Sequence, residues 1–545
     1  MDSKGAKICN RYKAMYAKHE HNRSFLNEIA FYFDPENSRY GQDTESNTVK
    51  HEKYQYKNLL YDTTCRDYKD ELVDYTLGRI IDPSFAWLKL LPMDKSILTE
   101  NSEDAYEIKR GISQLEDQFI QVLSTTGFYP EVTQWFENGG DYGFGSLSVY
   151  KKGGRVRFKA ENVFQILFDE DDSKDISEVA FMKTVLGSEL LTQFGEKKAI
   201  QVINELNGAN LTSLKLDTLD ATEILYLNQQ FQIITMYIKT GSIWKEYCVD
   251  KKSQIVLRDQ TLQYQPNVIF RMERGSSMYG RGWGKKNLER AITLDQIKHD
   301  ASRASSWAVD PVWQANDDGM TPPQINPGDI LFGDLVAGDV VRPVPMQTRP
   351  EYALQYYEME REATKKSFKL DSFDFQKKEK QSIAEISEFA GIRNVRVSRF
   401  LYRFFTEGLI PALKSAYYLA LETGMIKKPD SIKNLDLQLD FISPLFAQQR
   451  YSKVTNLSRA FQASAPAFEV DPSTKHIIDG KKIASDIFSE FGLADKLKTT
   501  EQAEEAYAKE QEMMNRDVGS KSAKQSADAE KSLAQAQAIR EGGSE

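Results

Sequence analysis

A glycine-rich turn that leads straight into a long helical pattern constrains this chain more than any other segment. An apolar stretch from Asn267 predicts a strand, and the turn Tyr279-Gly-Arg-Gly-Trp-Gly284 follows it. The helical pattern of residues 284–309 begins at once. It must stop before Pro311, because the residue that precedes a proline is disfavoured in the helical conformation. The segment therefore predicts a strand, a tight turn and a helix in direct succession.

The predicted helix has two chemically different faces. Small and apolar side chains recur at helical spacing near one face, namely Leu288, Ile292, Ile297, Ala301, Ala304 and Ala308. The other face carries the cations Lys285, Lys286, Arg290, Lys298 and Arg303. A one-sided basic helix is unusual in a chain whose net charge is −9.

Length and charge bound the class of protein. The chain has 545 residues, whereas one hydrophobic core serves roughly 250–300, so two or more substructures are expected. It carries 71 basic and 80 acidic residues, while proteins that hold DNA regardless of sequence show a basic excess. The charge balance therefore argues against a protein that wraps DNA. It leaves open a protein that DNA slides past.

Neither the cysteines nor the N-terminal segment indicates secretion. Cys9, Cys65 and Cys248 are odd in number and widely spaced, which suits a reducing compartment and fits no disulfide framework. Residues 1–20 are polar and lack the apolar core of a signal peptide. No run approaches the ~18 apolar residues of a membrane span. We expect a chain that is cytosolic and soluble when made, with no membrane partner.

Before the turn, helical and strand patterns alternate, which predicts a mixed α+β region. Helices are expected at 5–34, 63–80, 102–126, 188–195 and 197–206, with another from Phe128 to the glycine cluster at 139–145. Half-buried strands alternate apolar and polar residues. Such strands are expected at 85–91, 146–151, 155–159, 163–168, 178–184, 222–227, 231–239, 243–250 and 254–258.

After the predicted helix, prolines crowd residues 311–350 and exclude another long helix there. Short strands are predicted within this segment at 329–332 and 339–344. The remaining expectations are a helix at 351–368, a charged loop at 371–381, a long helix at 382–424 kinked at Pro411 and ended by Gly424, a small helical unit at 436–505, and a charged tail, either a solvated helix or disorder.

Patterns of catalytic or metal-binding residues are weak. The segment Gly280–Lys286 lacks the spacer and the hydroxyl residue of a phosphate-binding loop, so a strand-to-helix turn is the better interpretation. His19 and His21 are closely spaced but lie in a charged run, and Asp169–Asp172 fits a hairpin turn better than a cation site. We predict no enzyme activity, no metal and no cofactor.

The segment 365–380 interleaves lysines with phenylalanines. Such a composition suits transient contact with a phosphate backbone. It equally suits a solvated loop whose phenylalanines pack against neighbours, and composition alone favours that second interpretation. The lysines in question are Lys365, Lys366, Lys369, Lys377, Lys378 and Lys380.

Three segments together resemble the portal, or head-to-tail connector, proteins of short-tailed double-stranded DNA bacteriophages. They are the turn and helix at 279–309, the segment 382–388 leading into Arg403–Leu413, and Phe441–Gln449. Their order matches that family, and the likeness runs loosely from Arg11 to about residue 506. In the family, the turn Tyr279-Gly280-Arg281-Gly282 would precede the first stem helix.

The resemblance implies an α+β portal fold in named parts. These are a mixed wing at 1–283, stem helices at 284–309 and 351–370, a small α/β clip at 310–350, a tunnel loop at 371–381, a long kinked wing helix at 382–424, a helical crown at 425–505 and a charged low-complexity tail at 506–545. In portals, a loop that follows the second stem helix projects into the central tunnel. The resemblance thus reverses the preference for a merely solvated loop.

The implied function is a dodecameric ring at one capsid vertex, through which DNA is packaged and ejected. Implied partners are double-stranded DNA, the terminase packaging motor, a tail adaptor, and the major capsid and scaffolding proteins. The ring would assemble in the bacterial host cytoplasm and remain in the virion. Lys298 and Arg303 would line the channel, pair with acids of an adjacent subunit, or form a solvated face. A nucleotide-dependent DNA motor or nuclease component remains the alternative function.

Overall fold

The computed structural model describes residues 3–35, 60–81, 87–93, 103–209, 211, 221–275, 277–315, 327–332, 341–344, 350–370, 401–433, 435–441 and 531. The chain separates into two compact units. Among described residues, the first unit holds those up to Trp87 and those from Phe119 to Ile426. The second holds those within Leu88–Gln118 and Lys427–Phe441, together with Lys531.

Three helices open the first unit. Helix α1 is Ser3–His19, α2 is His21–Phe33 and α3 is Thr64–Ile80. The single helix predicted at 5–34 is thus two helices, and the second ends at Asp34 as expected. Just before α3, the Asp62 carboxylate accepts the backbone N–H of Thr64, the first residue of the helix, at 3.2 Å.

Two further helices follow the short strand β1, Leu88–Pro92. Helix α4 is Glu103–Thr125, and its predicted apolar face is buried at Ile112, Leu115, Phe119 and Leu123. Helix α5 is Phe128–Tyr142 and ends at Gly143, whose φ of 92° is readily adopted only by glycine. The glycine cluster therefore ends this helix as expected.

A five-stranded antiparallel sheet forms one part of the first unit, with its strands in sequence order. One face packs against α1 through Ile8, Tyr12 and Met15, and the other face packs against the short helices named next. Turn residues between the first two strands include Asp171 and Asp172, so the acidic run is the predicted hairpin. The strands are β4 Ile166–Glu170, β5 Ile176–Leu186, β6 Gln230–Thr240, β7 Ile243–Asp250 and β8 Val256–Leu262.

The short helices are α6 Gly187–Phe194, α7 Glu196–Asn207 and α8 Ala221–Asn228. The first two were predicted, but α8 replaces the strand expected at 222–227, so that prediction is wrong. A short apolar run does not by itself distinguish a strand from a helix. Burial of Leu227 beside exposed Ile224 and Leu225 is not the alternation of a half-buried strand.

A second sheet in the same unit has the order β3-β2-β9. Strand β2 is Phe144–Lys152, β3 is Arg155–Ala160 and β9 is Asn267–Arg271. Both pairings are antiparallel. All five residues of β9 are buried, including Val268, Ile269 and Phe270. This buried strand delivers the chain to the glycine-rich turn.

Two long helices that form a hairpin follow the turn, and the segment that connects them contains a small sheet. Helix α9 is Trp283–Val309 and α10 is Pro350–Ser367. Strands β11 and β12 lie where short strands were predicted, whereas β10 was not predicted. Strand β10 is the central strand of this sheet, parallel to β11 and antiparallel to β12. We call this sheet the tip sheet: β10 Trp313–Ala315, β11 Ile330–Phe332 and β12 Val341–Pro343.

The long helix predicted at 382–424 is described from residue 401 onward. It contains a wide π-helical turn, Phe404–Leu409, followed by α11, Ile410–Glu422. The N–H of Ile410 reaches back to the carbonyl of Phe405, one residue farther than in an α-helix. The irregularity therefore directly precedes Pro411, which lacks a donor. Gly424, with φ 72°, ends the helix as expected.

The second unit contains a two-stranded antiparallel sheet. Strand β1 pairs with β13, Leu437–Phe441. The helical unit predicted at 436–505 is therefore wrong over these residues, while 442–505 lie outside the described residues. Leu437, Leu439 and Phe441 alternate with polar residues, a strand pattern too short to weigh against the helical interpretation.

Candidate functional site at the joint and the hairpin

The turn predicted to precede the first stem helix crosses the end of α5 at backbone contact distance. We call residues 139–143 together with 279–284 the joint. A Cβ placed on Gly282 would lie 1.8 Å from the carbonyl oxygen of Gly140, and one on Gly280 would lie 2.6 Å from that of Gly143. Gly280 also has φ 52°. Only glycine fits these positions, because any side chain would force the two backbones apart.

Trp283, the first residue of α9, fixes the helix to this crossing. A Cβ on Gly140 would lie 1.6 Å from its indole ring, so the ring rests directly on the backbone of α5. The indole Nε1–H donates to Asp141 Oδ1 at 2.9 Å. A buried indole finds such a partner because an unmade hydrogen bond is costly. The start of α9 is thus positioned by both shape and polarity.

Asp141 is a fully buried acid at the centre of the joint. Burial raises the pKa of its carboxyl to about 7, against the opposing effects of Lys69 and the Trp283 hydrogen bond. Lys69 Nζ, on α3, lies 3.4 Å from Asp141 Oδ2 and 3.4 Å from the carbonyl oxygen of Phe33. Burial alone would lower the pKa of Lys69, but Asp141 and other acids outweigh it and raise the pKa. One lysine thereby ties α2, α3 and α5 to the beginning of α9.

Tyr279 anchors the other side of the joint. Its ring is buried against Phe144 and Phe168, with centroids 5.2 Å apart in both pairs. Its hydroxyl shares a hydrogen bond with Nδ1 of His19, the last residue of α1. The histidine that the sequence left without a role is therefore a packing partner of the turn.

The two long helices of the hairpin run antiparallel and are held by polar contacts. Near the joint, Ser367 Oγ donates to Asn287 Oδ1 at 2.5 Å. Farther along, Arg290 Nη1 lies 3.4 Å from Glu360 Oε2. Because the residue numbers on α9 rise as those on α10 fall, the two helices form a rod that leads from the joint towards the tip sheet.

Asp62 connects this rod to α3. Its carboxylate accepts the Tyr357 hydroxyl at 2.5 Å and lies 3.3 Å from Lys298 Nζ. In return, Asp295 of α9 accepts the N–H groups of Tyr61 and Asp62 at 2.6 and 3.0 Å. Both arms of the hairpin are therefore tied to the beginning of α3.

The basic residues predicted on α9 find partners within this chain. Besides Lys298 and Arg290, Lys286 pairs with Glu273 at 2.6 Å. Lys285 lies over the Phe25 ring and Arg303 over the Trp307 ring, at 4.8 and 5.5 Å from the centroids. Pairing inside the chain was not among the interpretations of this face. The role of Lys298 and Arg303 in a channel stays a prediction.

The predicted apolar face of α9 is only partly buried. Leu288 and Ala301 are buried, Ile292, Ile297 and Ala304 are half-buried, and Ala308 is exposed. Two buried residues of the helix, Ala291 and Leu294, were missed. The buried face of α9 is therefore rotated around the helix axis relative to the predicted face, because α10 and the joint cover faces next to the predicted one.

The predicted tunnel-loop lysines divide into two groups. Lys365 and Lys366 lie in the last turn of α10 and Lys369 lies just beyond it, whereas Lys377, Lys378 and Lys380 lie outside the described residues. Phe368 is buried and stacks edge-on with Tyr68 at 6.2 Å. At this phenylalanine the alternative interpretation, packing against a neighbour, is correct. DNA contact by the lysines stays a prediction.

A second buried ion-pair network holds the π-helical turn. Arg271, the last residue of β9, contacts Glu407 at 3.2 Å and Glu170 at 2.6 Å. It also donates to the carbonyl oxygen of Lys174 at 2.9 Å. Its side chain is buried, so removing it would leave two partly buried carboxylates without their partner. The strand that enters the joint is thereby tied to the long helix.

Sequence reasoning missed Asp141, Lys69 and Tyr357. The glycine pair at Gly139 and Gly140 was read only as a helix end, although paired glycines also mark close backbone approach. No local pattern distinguishes Lys69 from a solvated lysine.

The described residues give little support for metal binding or nucleotide binding. No group of three His, Cys, Asp or Glu side chains there is arranged to hold a metal ion. Cys9, Cys65 and Cys248 are free and buried. The segment Gly280–Lys286 is a strand-to-helix turn, with Lys286 engaged by Glu273. None of the described helices is long and apolar enough to span a membrane.

Comparison with known proteins gives one family. No curated protein matches the chain significantly. The family model described as bacteriophage head to tail connecting protein matches residues 6–497, which include the whole hairpin and nearly all the described residues. By that match, the chain belongs to the family of bacteriophage head to tail connecting proteins.

Proposed function

We propose that this connector closes into a ring, the portal of the phage head, and that double-stranded DNA passes through the ring during packaging and ejection. The ring would be a dodecamer of this chain and would occupy one capsid vertex. The hairpin would form the stem, with α9 and α10 walling the passage. The tip sheet would form the clip.

The observation that carries this proposal is the hairpin with the tip sheet between its two arms in a head-to-tail connecting protein. A rod of paired helices buries little of its own surface. It becomes a wall only when neighbouring copies lie beside it. The tip sheet is the natural docking point for the terminase packaging motor and later for a tail adaptor. Capsid and scaffolding proteins would meet the mixed wing.

The charge of the chain suits a passage rather than a grip. Six to ten phosphate contacts change affinity by about 10³–10⁵ over a modest range of salt. A uniformly basic bore would therefore hold DNA fast. The chain has net charge −9, and three α9 cations, Lys286, Arg290 and Lys298, are already in ion pairs within it, which would weaken its hold on a moving duplex.

Electron microscopy of the purified full chain tests the ring directly. End-on views in negative stain should show closed particles with a central hole wide enough for a DNA duplex. Compact monomers, or oligomers without a hole, would overturn the proposal. A packaging assay distinguishes a portal from a scaffold or adaptor ring without a DNA path. For a portal, replacing Lys377, Lys378 and Lys380 with alanine should keep the ring but impair DNA packaging or retention.

The alternative function, a nucleotide-dependent motor or nuclease component, makes an opposite prediction. Such a protein would bind or hydrolyse ATP at Gly280–Lys286. Under our proposal the purified protein does neither, because Gly280 and Gly282 lie against the backbone at the end of α5 instead of cradling a phosphate. Nucleotide turnover abolished by Lys286→Ala would favour the alternative.

A further inference from the structure

Strands β2 and β3 continue beyond the sheet to which they belong. The pairing of β2 with β9 ends at Ser148, whereas the pairing of β2 with β3 continues to Lys152 and Arg155. From Tyr150 onward the two strands therefore pair only with each other. We call residues 150–157 the ribbon.

The tip of the ribbon is a tight turn of two glycines. Gly153 and Gly154 have φ of 60° and 73°, the left-handed values that a two-residue hairpin turn requires and that glycine readily adopts. Apart from chain neighbours, no described atom lies within 4 Å of a Cβ placed on either glycine. The turn sets Lys152 directly opposite Arg155. The tip is thus well defined in shape and open to an approaching molecule.

One face of the ribbon and of adjoining β3 carries a row of cations. Side chains alternate between the two faces along a strand, so Arg155, Arg157 and Lys159 share a face, and all three are exposed. Lys152 is exposed on the same face, because residues directly opposite each other in an antiparallel pair share a face. Phe158, on the other face, is buried.

These cations differ from those of α9 in being mostly unneutralised. Lys152, Arg155 and Arg157 form no ion pair with any residue that the structure describes. Lys159 is the exception in the row, because it lies 3.3 Å from the buried carboxylate of Glu161. The tip of the ribbon therefore presents its positive charge to the surroundings.

We propose that the ribbon binds the phosphate backbone of double-stranded DNA, as a contact separate from the helical hairpin. Cations two residues apart on a strand lie about 6.8 Å apart, close to the separation of successive phosphates along one DNA strand. The major groove of DNA also admits a two-stranded β-ribbon. Arginine suits a phosphate because its planar guanidinium can donate two parallel hydrogen bonds.

Local charge, rather than the net charge of −9, decides whether such a contact forms. A duplex is attracted where cations cluster without acids, even on an acidic protein. Few phosphate contacts make a weak, salt-sensitive interaction, which DNA in motion can leave again. An acidic protein partner would need acids at alternate positions of an extended segment, whereas every duplex presents a row of phosphates. The inference does not depend on the proposed ring, because each copy of the chain carries a complete ribbon.

Filter binding of a small closed circular DNA duplex to the purified full chain tests the ribbon. A closed circle cannot be threaded through a ring, so this probe does not report the passage. Each phosphate contact contributes about 0.9 to the slope of log affinity against log salt concentration. The double variant Arg155→Gln/Arg157→Gln should therefore make the slope shallower by about 2. Over about a fourfold rise in salt, the unchanged protein should lose about tenfold more affinity than the variant.

A matched control removes two exposed cations elsewhere in the first unit. Lys197 on α7 and Lys252 after β7 are exposed and form no ion pair with described residues. The variant Lys197→Gln/Lys252→Gln changes the net charge equally but should keep the slope of the unchanged protein. Both variants should keep its thermal midpoint, because the replaced side chains are exposed.

Three results would overturn the inference. One is an equal slope for the ribbon variant and the unchanged protein, and another is no binding of the circle by the unchanged protein at low salt. The third is retention of polyglutamate instead of the circle, lost in the ribbon variant, which would assign the ribbon to an acidic protein partner. If the ribbon variant has a lowered thermal midpoint, Lys152→Gln/Arg155→Gln at the tip repeats the test with the same expected slope.

Discussion

The joint and the outer surface of the hairpin both bring large apolar and aromatic residues together, yet with opposite outcomes. At the joint, Trp283 and Tyr279 are buried against glycines and rings of the same chain. On α10, Tyr356 and Met359 stay exposed. The difference separates the contacts that fold the chain from the side chains that folding leaves uncovered. Substitutions at the two places should therefore fail in different ways.

The largest expected effect is at the joint. Gly140→Ala places a methyl group within 1.6 Å of the Trp283 ring, and overpacking a core costs about 1–3 kcal/mol, occasionally more. Urea denaturation should show that the free energy of unfolding falls by about 3 kcal/mol. A variant that is insoluble would indicate a still larger loss. Gly78→Ala is the control, because nothing lies within 4 Å of a Cβ there. It should be neutral or stabilising by up to about 1 kcal/mol.

On the hairpin surface the expected loss is of assembly rather than of stability. In the proposed ring the outer surface of the hairpin lies beside neighbouring copies, so Met359→Asp puts a charge there and should shift rings to smaller species in size-exclusion chromatography. Its thermal midpoint as a monomer should stay unchanged, since the side chain is already exposed. Leu225→Asp, equally exposed on α8, should leave rings intact. Equal behaviour of the two variants would remove the distinction between the surfaces.

The joint should also respond to pH. The folded-state pKa of Asp141, about 7, lies above that of an unfolded aspartate, so the folded state favours the protonated carboxyl. Its contribution is fully present below the unfolded pKa and is lost as pH rises through about 7. Unfolding free energy should then fall between about pH 4 and pH 7, by at most about 1.4 kcal/mol per pH unit from this group.

Asp141→Asn should flatten that dependence without abolishing it. Burial also raises the pKa of Glu137, which precedes the joint on α5, and raises that of Glu116 in the second unit to about 7. Both act in the same direction, and Lys69, whose pKa is raised, stays charged throughout this range. Glu116→Gln is the matched control for the second unit. A slope unchanged by Asp141→Asn would show that this carboxyl does not titrate in the folded joint.

The smallest effect is expected at Lys298. Its ammonium is paired with Asp62 but is 46% exposed, and pairs of this kind contribute about 0–1 kcal/mol. Lys298→Ala should lower unfolding free energy by about 0.5 kcal/mol and leave rings intact. A DNA-retention assay on assembled heads then reports any separate role in the channel. A loss above 2 kcal/mol would show that the pair is part of the folding core.

Local patterns determined much of what could be predicted. The end of α9 before Pro311 and the end of α5 at Gly143 follow from backbone restrictions that act on single residues. The antiparallel sheet follows from alternation that repeats over several residues in each strand. The failures lie where the pattern is short: the run at 222–227 is α8, and 437–441 is a strand. Both segments are too brief for periodicity to decide between a helix and a strand.

Sequence alone therefore determined most of the longer elements, the glycine turn with its helix, and the resemblance that the family match confirmed. Only the tertiary structure decided what that turn touches. Gly282 meets Gly140 and Lys69 reaches Asp141 across 142 and 72 residues of chain respectively, and no local pattern encodes such pairings. It also decided which cations of α9 are already neutralised, because burial and ion pairing depend on neighbours that only folding brings together.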